Sequence, residues 1–340
     1  MKIFYIALLA LAPAWGQELR LGIIGTDTSH ATAFTKTLND DASTDHVKGA
    51  RVVAAYKGGS SDIEESASRV NEYAAELHDK WGVKIVEKIA GLCPLVDGLL
   101  LESVDGRPHL QQFREAVECG KPVFIDKPLA STREDALAIA SLANEMHVPW
   151  FSSSSLRYSA IENMKSPDAI GAIVWGPGPM EPHHKLDMTW YGIHAVEMLY
   201  TLYGMGCVEV SRMNSPEGDV ITARWQDGKL GTVHLQRPYG KFGAVVFLKG
   251  EKLNAMPEID FSYVPLVRQI VEFMQTKKPP CQTMSRSKCL RLWMPRNAVP
   301  HPAAGPLLSA NDTSYRYWLV VGFGAGELCG LPNPLPKELF

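Results

Sequence analysis

Leu19-Arg20-Leu21-Gly22-Ile23-Ile24-Gly25 is a short apolar run that stops at a glycine, and Thr26-Asp27-Thr28-Ser29-His30 leads from it directly into a helical pattern. An apolar run without alternation is the pattern of a parallel strand buried on both faces. Working outward, strands are expected over residues 51–56, 83–86, 96–102, 123–126 and 148–152, separated by helices over 29–39, 62–81, 108–119 and 131–147. That alternation folds as a doubly wound parallel sheet with right-handed crossovers. Beyond residue 155 the order changes. A helix over 190–204 precedes strand-like runs at 208–213, 220–225, 231–236 and 243–249, with Asp227-Gly228 as a hairpin turn, and a helix over 262–276 closes the pattern. The expectation is an α/β domain over 18–154 followed by an α+β domain with a mainly antiparallel sheet over 155–280.

The residues before this alternation read as a leader. Lys2 supplies a positive charge, residues 3–12 are apolar but too few to span a bilayer, and Ala12, Ala14 and Gly16 put small residues at cleavage spacing. Residues 1–17 are therefore expected to be a signal peptide, and the mature protein to be exported, periplasmic or extracellular. No later stretch is long and apolar enough for a membrane helix. With 46% hydrophobic and 21% charged residues and a formal net charge of -3, the balance is that of a globular protein without the basic face nucleic acid requires. The six cysteines form no C-x-x-C pair, so Cys93, Cys119 and Cys207 are expected to be buried free thiols. Residues 281–340 fit neither domain. They hold Pro295, Pro300, Pro302, Pro306, Pro332, Pro334 and Pro336 with little periodicity. A shifted reading frame at Cys281 would turn their beginning into an amphipathic helix, so the tail reads as translated out of frame.

Four local patterns carry chemistry. Gly25-Thr26-Asp27-Thr28-Ser29-His30 joins the first strand to the first helix, where backbone N–H groups and a helix N-terminus can hold phosphate. Only the first glycine of a G-x-G-x-x-G turn is present, and Asp27 puts a carboxylate where a diphosphate would lie. Thr28 and Ser29 can cap the helix and bond an oxyanion. The second strand ends at Lys57-Gly58-Gly59, a cation rather than an acid at the position that reads a ribose. Asp126-Lys127-Pro128 follows the fifth strand and sets an ammonium at the carboxyl edge of the sheet. Trp190-Tyr191-Gly192-Ile193-His194-Ala195-Val196-Glu197 places His194 and Glu197 on one face of a helix.

In this order the patterns resemble the glucose–fructose oxidoreductase/inositol dehydrogenase (Gfo/Idh/MocA) family over roughly residues 19–280, as a divergent exported branch. Asp126-Lys127-Pro128 stands where the family carries Glu-Lys-Pro. His194 and Glu197 stand where it carries His and Asp, while Trp190 replaces the family's Asp four residues before the histidine. The resemblance implies a Rossmann-type first domain and an NAD(P)-dependent oxidoreductase acting on a sugar, polyol or related hydroxyl compound. It makes Lys127 and His194 the catalytic pair that manages the hydroxyl proton. Gly25, Thr26, Asp27, Thr28, Ser29, Lys57, His109 and Asp126 become the cofactor-binding set, and Trp190, Tyr191 and Glu197 substrate contacts; Arg157, placed after the serine run 152–155 where the sheet leads into the second domain, is expected either to bind a substrate oxygen or to pair with a carboxylate. Lys57 favours NADP over NAD, because a cation tolerates a 2′-phosphate. The second sheet would shape the pocket and a homo-oligomeric interface. The degenerate glycine turn and the leader keep two other readings open. One is a non-redox carbohydrate-binding protein using the same cleft. The other is a metal-dependent lyase or hydrolase around His183, His184 and His194, whose spacing follows no metal signature.

Overall fold

The computed structural model describes residues 18–185 and 187–280, which form two six-stranded sheets. The expected signal peptide and the tail expected to be out of frame lie outside those residues. The first sheet is parallel, in the order β3-β2-β1-β4-β5-β6, from β1 (Leu19–Ile24), β2 (Ala50–Tyr56), β3 (Lys84–Val86), β4 (Gly98–Leu101), β5 (Val123–Ile125) and β6 (Trp150–Ser152). Its helices are α1 (Ser29–Asn39), α2 (Glu64–Trp81), α3 (His109–Val117) and α4 (Arg133–Glu145). Ile23, Ile24, Leu99, Leu100, Leu101, Val123, Phe124 and Ile125 are fully buried, the physical reason these strands read as unbroken apolar runs. Strand order reverses between β1 and β4, which opens a crevice at their carboxyl ends. α1 begins on Thr28, whose hydroxyl accepts from the His30 N–H.

The second sheet has the order β12-β11-β7-β10-β9-β8, from β7 (Ala169–Pro177), β8 (Cys207–Ser215), β9 (Gly218–Trp225), β10 (Leu230–Gln236), β11 (Gly243–Leu248) and β12 (Lys252–Met256). Its pairs are antiparallel except β7 with β10, which run parallel. The sequence pattern offered no strand between residues 155 and 208, yet β7 is central. Glycines hide it: a Cβ at Gly176 would lie 2.5 Å from the Phe242 ring, so the strand keeps a bare backbone where that ring packs. α5 (Ile193–Tyr203) covers the inner face, in a core with Leu156, Val174, Trp225, Val233, Leu235 and Val246.

α6 (Val264–Thr276) comes after the second sheet in sequence but packs with the first. Leu266, Val267, Ile270, Phe273 and Met274 join the core of the parallel sheet. Gly98 begins β4 as glycine because a Cβ there would sit 2.5 Å from the Met274 sulfur.

Cys93 and Cys119 form a disulfide, which corrects the expectation of two free thiols. Without a C-x-x-C spacing, nothing local in the sequence marks a pair 26 residues apart. The bridge ties the segment before β4 to the end of α3. Replacing both cysteines by serine is expected to cost about 3 kcal/mol in urea unfolding, because it releases a closed loop in the unfolded chain.

Candidate functional site

The residues that carry chemistry gather at the carboxyl edge of the parallel sheet. Asp126 follows β5 and is almost fully buried; it accepts from His30 Nδ1–H at 2.6 Å. The His30 ring stacks on Phe34, centroids 5.3 Å apart, and meets the edge of Tyr263 at 4.8 Å. Burial alone would raise the Asp126 carboxyl, but His30 and then Lys127 more than offset it, and the group is held below its ordinary range. On the adjacent strand, Glu102 is fully buried and neither of its carboxyl oxygens has a hydrogen-bond partner among the described residues. Burial, and then the Asp126 charge, push Glu102 well above the usual carboxylate range, so it sits there as a neutral acid.

Lys127 is half-buried, its Nζ 5.8 Å from the centroid of the Tyr191 ring. Tyr191 in turn meets the His194 ring at 5.0 Å and Tyr239 at 5.5 Å. An ammonium and an imidazole thus neighbour one aromatic ring. The His194 ring is buried, with Phe242 on its other side at 5.8 Å. Its Nδ1 lies 2.6 Å from Ser154 Oγ, which also accepts the Leu156 N–H. With Nδ1–H donated to Ser154, the Nε2 lone pair remains for a substrate hydroxyl. Burial, then the charges of Lys127 and His30, push His194 well below the ordinary imidazole value. The neutral base is therefore present at neutral pH and persists as pH falls through about 6.5, the usual histidine value. Turnover is expected to stay level from about pH 8 down to that value and to decline only further into acid. A kcat profile with its acid limb at the ordinary imidazole position would contradict this environment. The same depression costs stability in acid: the unfolded chain takes up the proton first, so the fold weakens as pH drops below about 6.5.

Of the residues read as substrate contacts, Tyr191 borders Lys127 and His194, Arg157 and Glu197 are linked to His194 through Ser154, and Trp190 packs beside the loop after β4. Arg157 and Glu197 pair with each other at 2.8 Å. Glu197 also accepts from Ser154 N–H at 3.0 Å and Ser153 Oγ–H at 3.2 Å. The pair holds the serine run that orients His194. Trp190 is buried against Ile63 and Val104 and meets the edge of His184 at 5.3 Å.

The cofactor side is tightly filled. Gly25 has φ +98°, and a Cβ there would overlap Ser103. Thr26 is pinned by its N–H to the Lys57 carbonyl and its hydroxyl to the Val70 carbonyl. Asp27 is fully buried and accepts from Ser66 Oγ–H at 2.6 Å and from Val104 N–H at 3.3 Å. Burial raises its carboxyl above the ordinary value, partly offset by these bonds. Thr28 spends its hydroxyl on the helix cap, and Ser29 is exposed. Lys57 lies on the surface and donates to Asn71 Oδ1 at 3.2 Å. His109 is buried, its ring between the carbonyls of Ser103 at 2.8 Å and Leu129 at 3.1 Å, in the contact between the loops after β4 and β5. From the second domain, His184 Nε2–H donates to Asp105 at 2.9 Å, and Asp105 also accepts from Ser60 and Arg107. The space between the start of α1 and the loop after β4 is where a dinucleotide would place its diphosphate. As it stands, that space holds the Asp27 carboxylate and does not fit the group.

Residues 19–154 match the Gfo/Idh/MocA family model, described as an oxidoreductase family with an NAD-binding Rossmann fold. The first domain belongs to that family. Among solved structures, the chain is similar to myo-inositol 2-dehydrogenase from Lactobacillus plantarum, with TM-score 0.60, 14% identity, and coverage of 78% of this chain and 92% of that one. It is similar to apo scyllo-inositol dehydrogenase from Lactobacillus casei, with TM-score 0.60, 12% identity, and coverage of 78% and 91%. A third is an oxidoreductase from Agrobacterium radiobacter in complex with NAD+, L-tartaric acid and magnesium, with TM-score 0.54, 14% identity, and coverage of 76% and 87%. At these identities the likeness is one of fold. No curated protein matches the chain.

Within this Gfo/Idh/MocA frame the structure adds His30, Ser154 and Glu102 to the site. His30 occupies the third glycine position of the degenerate turn, and a polar ring at a position meant for bare backbone was the available signal. Glu102 ends the run Leu99-Leu100-Leu101, where a charge on a buried strand was the clue. Ser154 had no signal of its own. His183, His184 and His194 take separate partners, Glu181, Asp105 and Ser154, and the described residues include no group of three or more His, Cys, Asp or Glu able to hold a metal.

Proposed function

We propose that the chain is an oxidoreductase of the Gfo/Idh/MocA type acting on a hydroxyl of a sugar, polyol or related compound. His194 takes the hydroxyl proton at Nε2, and Lys127 orients and polarises the same oxygen. The observation that carries this reading is that Lys127 and His194 both neighbour the Tyr191 ring, close enough that the Lys127 charge acts on the His194 imidazole. The neutral imidazole has the protonation state a base requires, and the Ser154 bond fixes its ring. Tyr191 and Tyr239 supply aromatic faces suited to the C–H faces of a polyol ring. NAD(P) is the cofactor the family implies, and Lys57 at the end of β2 favours NADP. The test is a thermal-shift screen of inositols, sugars and sugar acids. Hits are then assayed for nicotinamide reduction in the wild type, Lys127→Ala and His194→Ala. If no compound stabilises the wild type more than it stabilises both variants, the reading fails. The filled Asp27 position favours the non-redox binding alternative, which stabilisation without turnover under either dinucleotide would select.

The outer face of the second sheet supports a homo-oligomer. Leu230, Phe247 and Leu253 share one row across the sheet, joined by exposed Ile173, Val220 and Met213. A self-complementary apolar face of this kind fits a second copy of the chain. Leu230→Lys with Leu253→Lys is expected to shift sedimentation from an oligomer to a monomer. Export agrees with the Cys93–Cys119 disulfide, since such bonds persist in oxidising compartments.

A further inference from the structure

We propose that Asp27 controls access of the dinucleotide, because its carboxylate already fills the position between the start of α1 and the loop after β4 that the diphosphate would need. The inference rests on the oxidoreductase reading above, since it concerns that reaction's cofactor. In a Rossmann turn the second glycine position is bare so that backbone N–H groups can approach the pyrophosphate. Here that position carries a side chain with no solvent exposure, bonded on both sides of the gap. Val104 N–H, a donor a phosphate could use, is given to Asp27, and Ser66 Oγ–H at the start of α2 closes the other side.

The surrounding loops hold the plug in place. A Cβ at Gly58 would come within 3.2 Å of Gly25 Cα, so the loop after β2 rests on the turn itself. Thr26 Oγ1 is tied to the Val70 carbonyl, fixing the turn against α2. From the second domain, His184 bonds Asp105, and Trp190 packs on Val104 and Ile63. At the third glycine position His30 likewise points inward, to Asp126. A diphosphate entering here would have to displace Asp27 and would meet Asp105 beyond it. The raised Asp27 carboxyl does not relieve the conflict, because the protonated group fills the same volume.

The experiment titrates NADP+ and NAD+ into the full chain by calorimetry, comparing wild type, Asp27→Gly and Asp27→Asn. Circular dichroism confirms that each variant is folded. Wild type is expected to bind weakly, with a dissociation constant toward about 1 mM, the upper end of usual enzyme affinities. Asp27→Gly is expected to bind at least about tenfold more tightly, because it removes both volume and charge. Asp27→Asn, which removes only charge, is expected to gain less. Micromolar binding by the wild type would overturn the proposal, as would folded Asp27→Gly binding no better than wild type. If Asp27→Gly does not fold, Asp27→Asn decides alone: tighter binding than wild type supports the proposal, and equal or weaker binding overturns it. The thermal shift of wild type by polyols, measured without dinucleotide, reads the Lys127–His194 cleft separately. Its failure would sink the functional reading and leave the Asp27 result standing.

Discussion

His194→Ala is expected to lower kcat by about 10²- to 10⁴-fold on whichever polyol the wild type turns over, with a much smaller change in KM. The size follows from the environment. The ring is buried between Tyr191 and Phe242, and its Nδ1 is held by Ser154. On the proposed reading, removing it deletes the proton acceptor while Lys127 still holds the oxygen. His194→Asn fills part of the space and can still bond Ser154, yet offers no basic nitrogen, so it should lose nearly as much activity with the fold unchanged. Loss in the alanine variant with full activity in the asparagine variant would mean that the residue packs rather than reacts. A drop of less than about threefold in both would remove His194 from the mechanism.

Glu197→Ala is expected to destabilise the fold by about 3–5 kcal/mol, the usual cost of removing one partner of a buried ion pair. Both side chains are well shielded, at 6% exposure for Glu197 and 17% for Arg157, so solvent screening does little to soften the loss. The substitution also strips an acceptor from Ser153 Oγ–H and Ser154 N–H. Calorimetry should show the melting temperature lowered by roughly 10 °C. Activity should fall further than stability alone explains, because Ser154 would no longer hold the His194 ring. Full activity in the fraction that remains folded would separate the ion pair from the site.

The parallel sheet was legible because β1, β4 and β5 are buried on both faces and so read as apolar runs. The helix over 29–39 was legible because Thr28 caps it. β7 was not legible: Gly171 and Gly176 interrupt its pattern where Phe247 and Phe242 press on the backbone. β12, which is largely exposed along its length, had no apolar face to show. In the candidate site, Lys127, His194 and Tyr191 were named from the order of the motifs, and the fold brings them together around the Tyr191 ring. Trp190, Arg157 and Glu197 could be named but not placed. Sequence spacing puts Glu197 one turn from His194, but only the fold shows that Arg157 returns to meet it. The His30–Asp126 bond joins residues 96 apart, beyond the reach of any local pattern.

Chain order and packing order disagree at α6. The parallel sheet emerges first during synthesis, yet the surface that Val267, Ile270 and Phe273 cover stays bare until the whole second sheet has been made. A nascent chain in that state exposes apolar surface and cannot settle into its final form, which leaves it dependent on chaperones until α6 arrives.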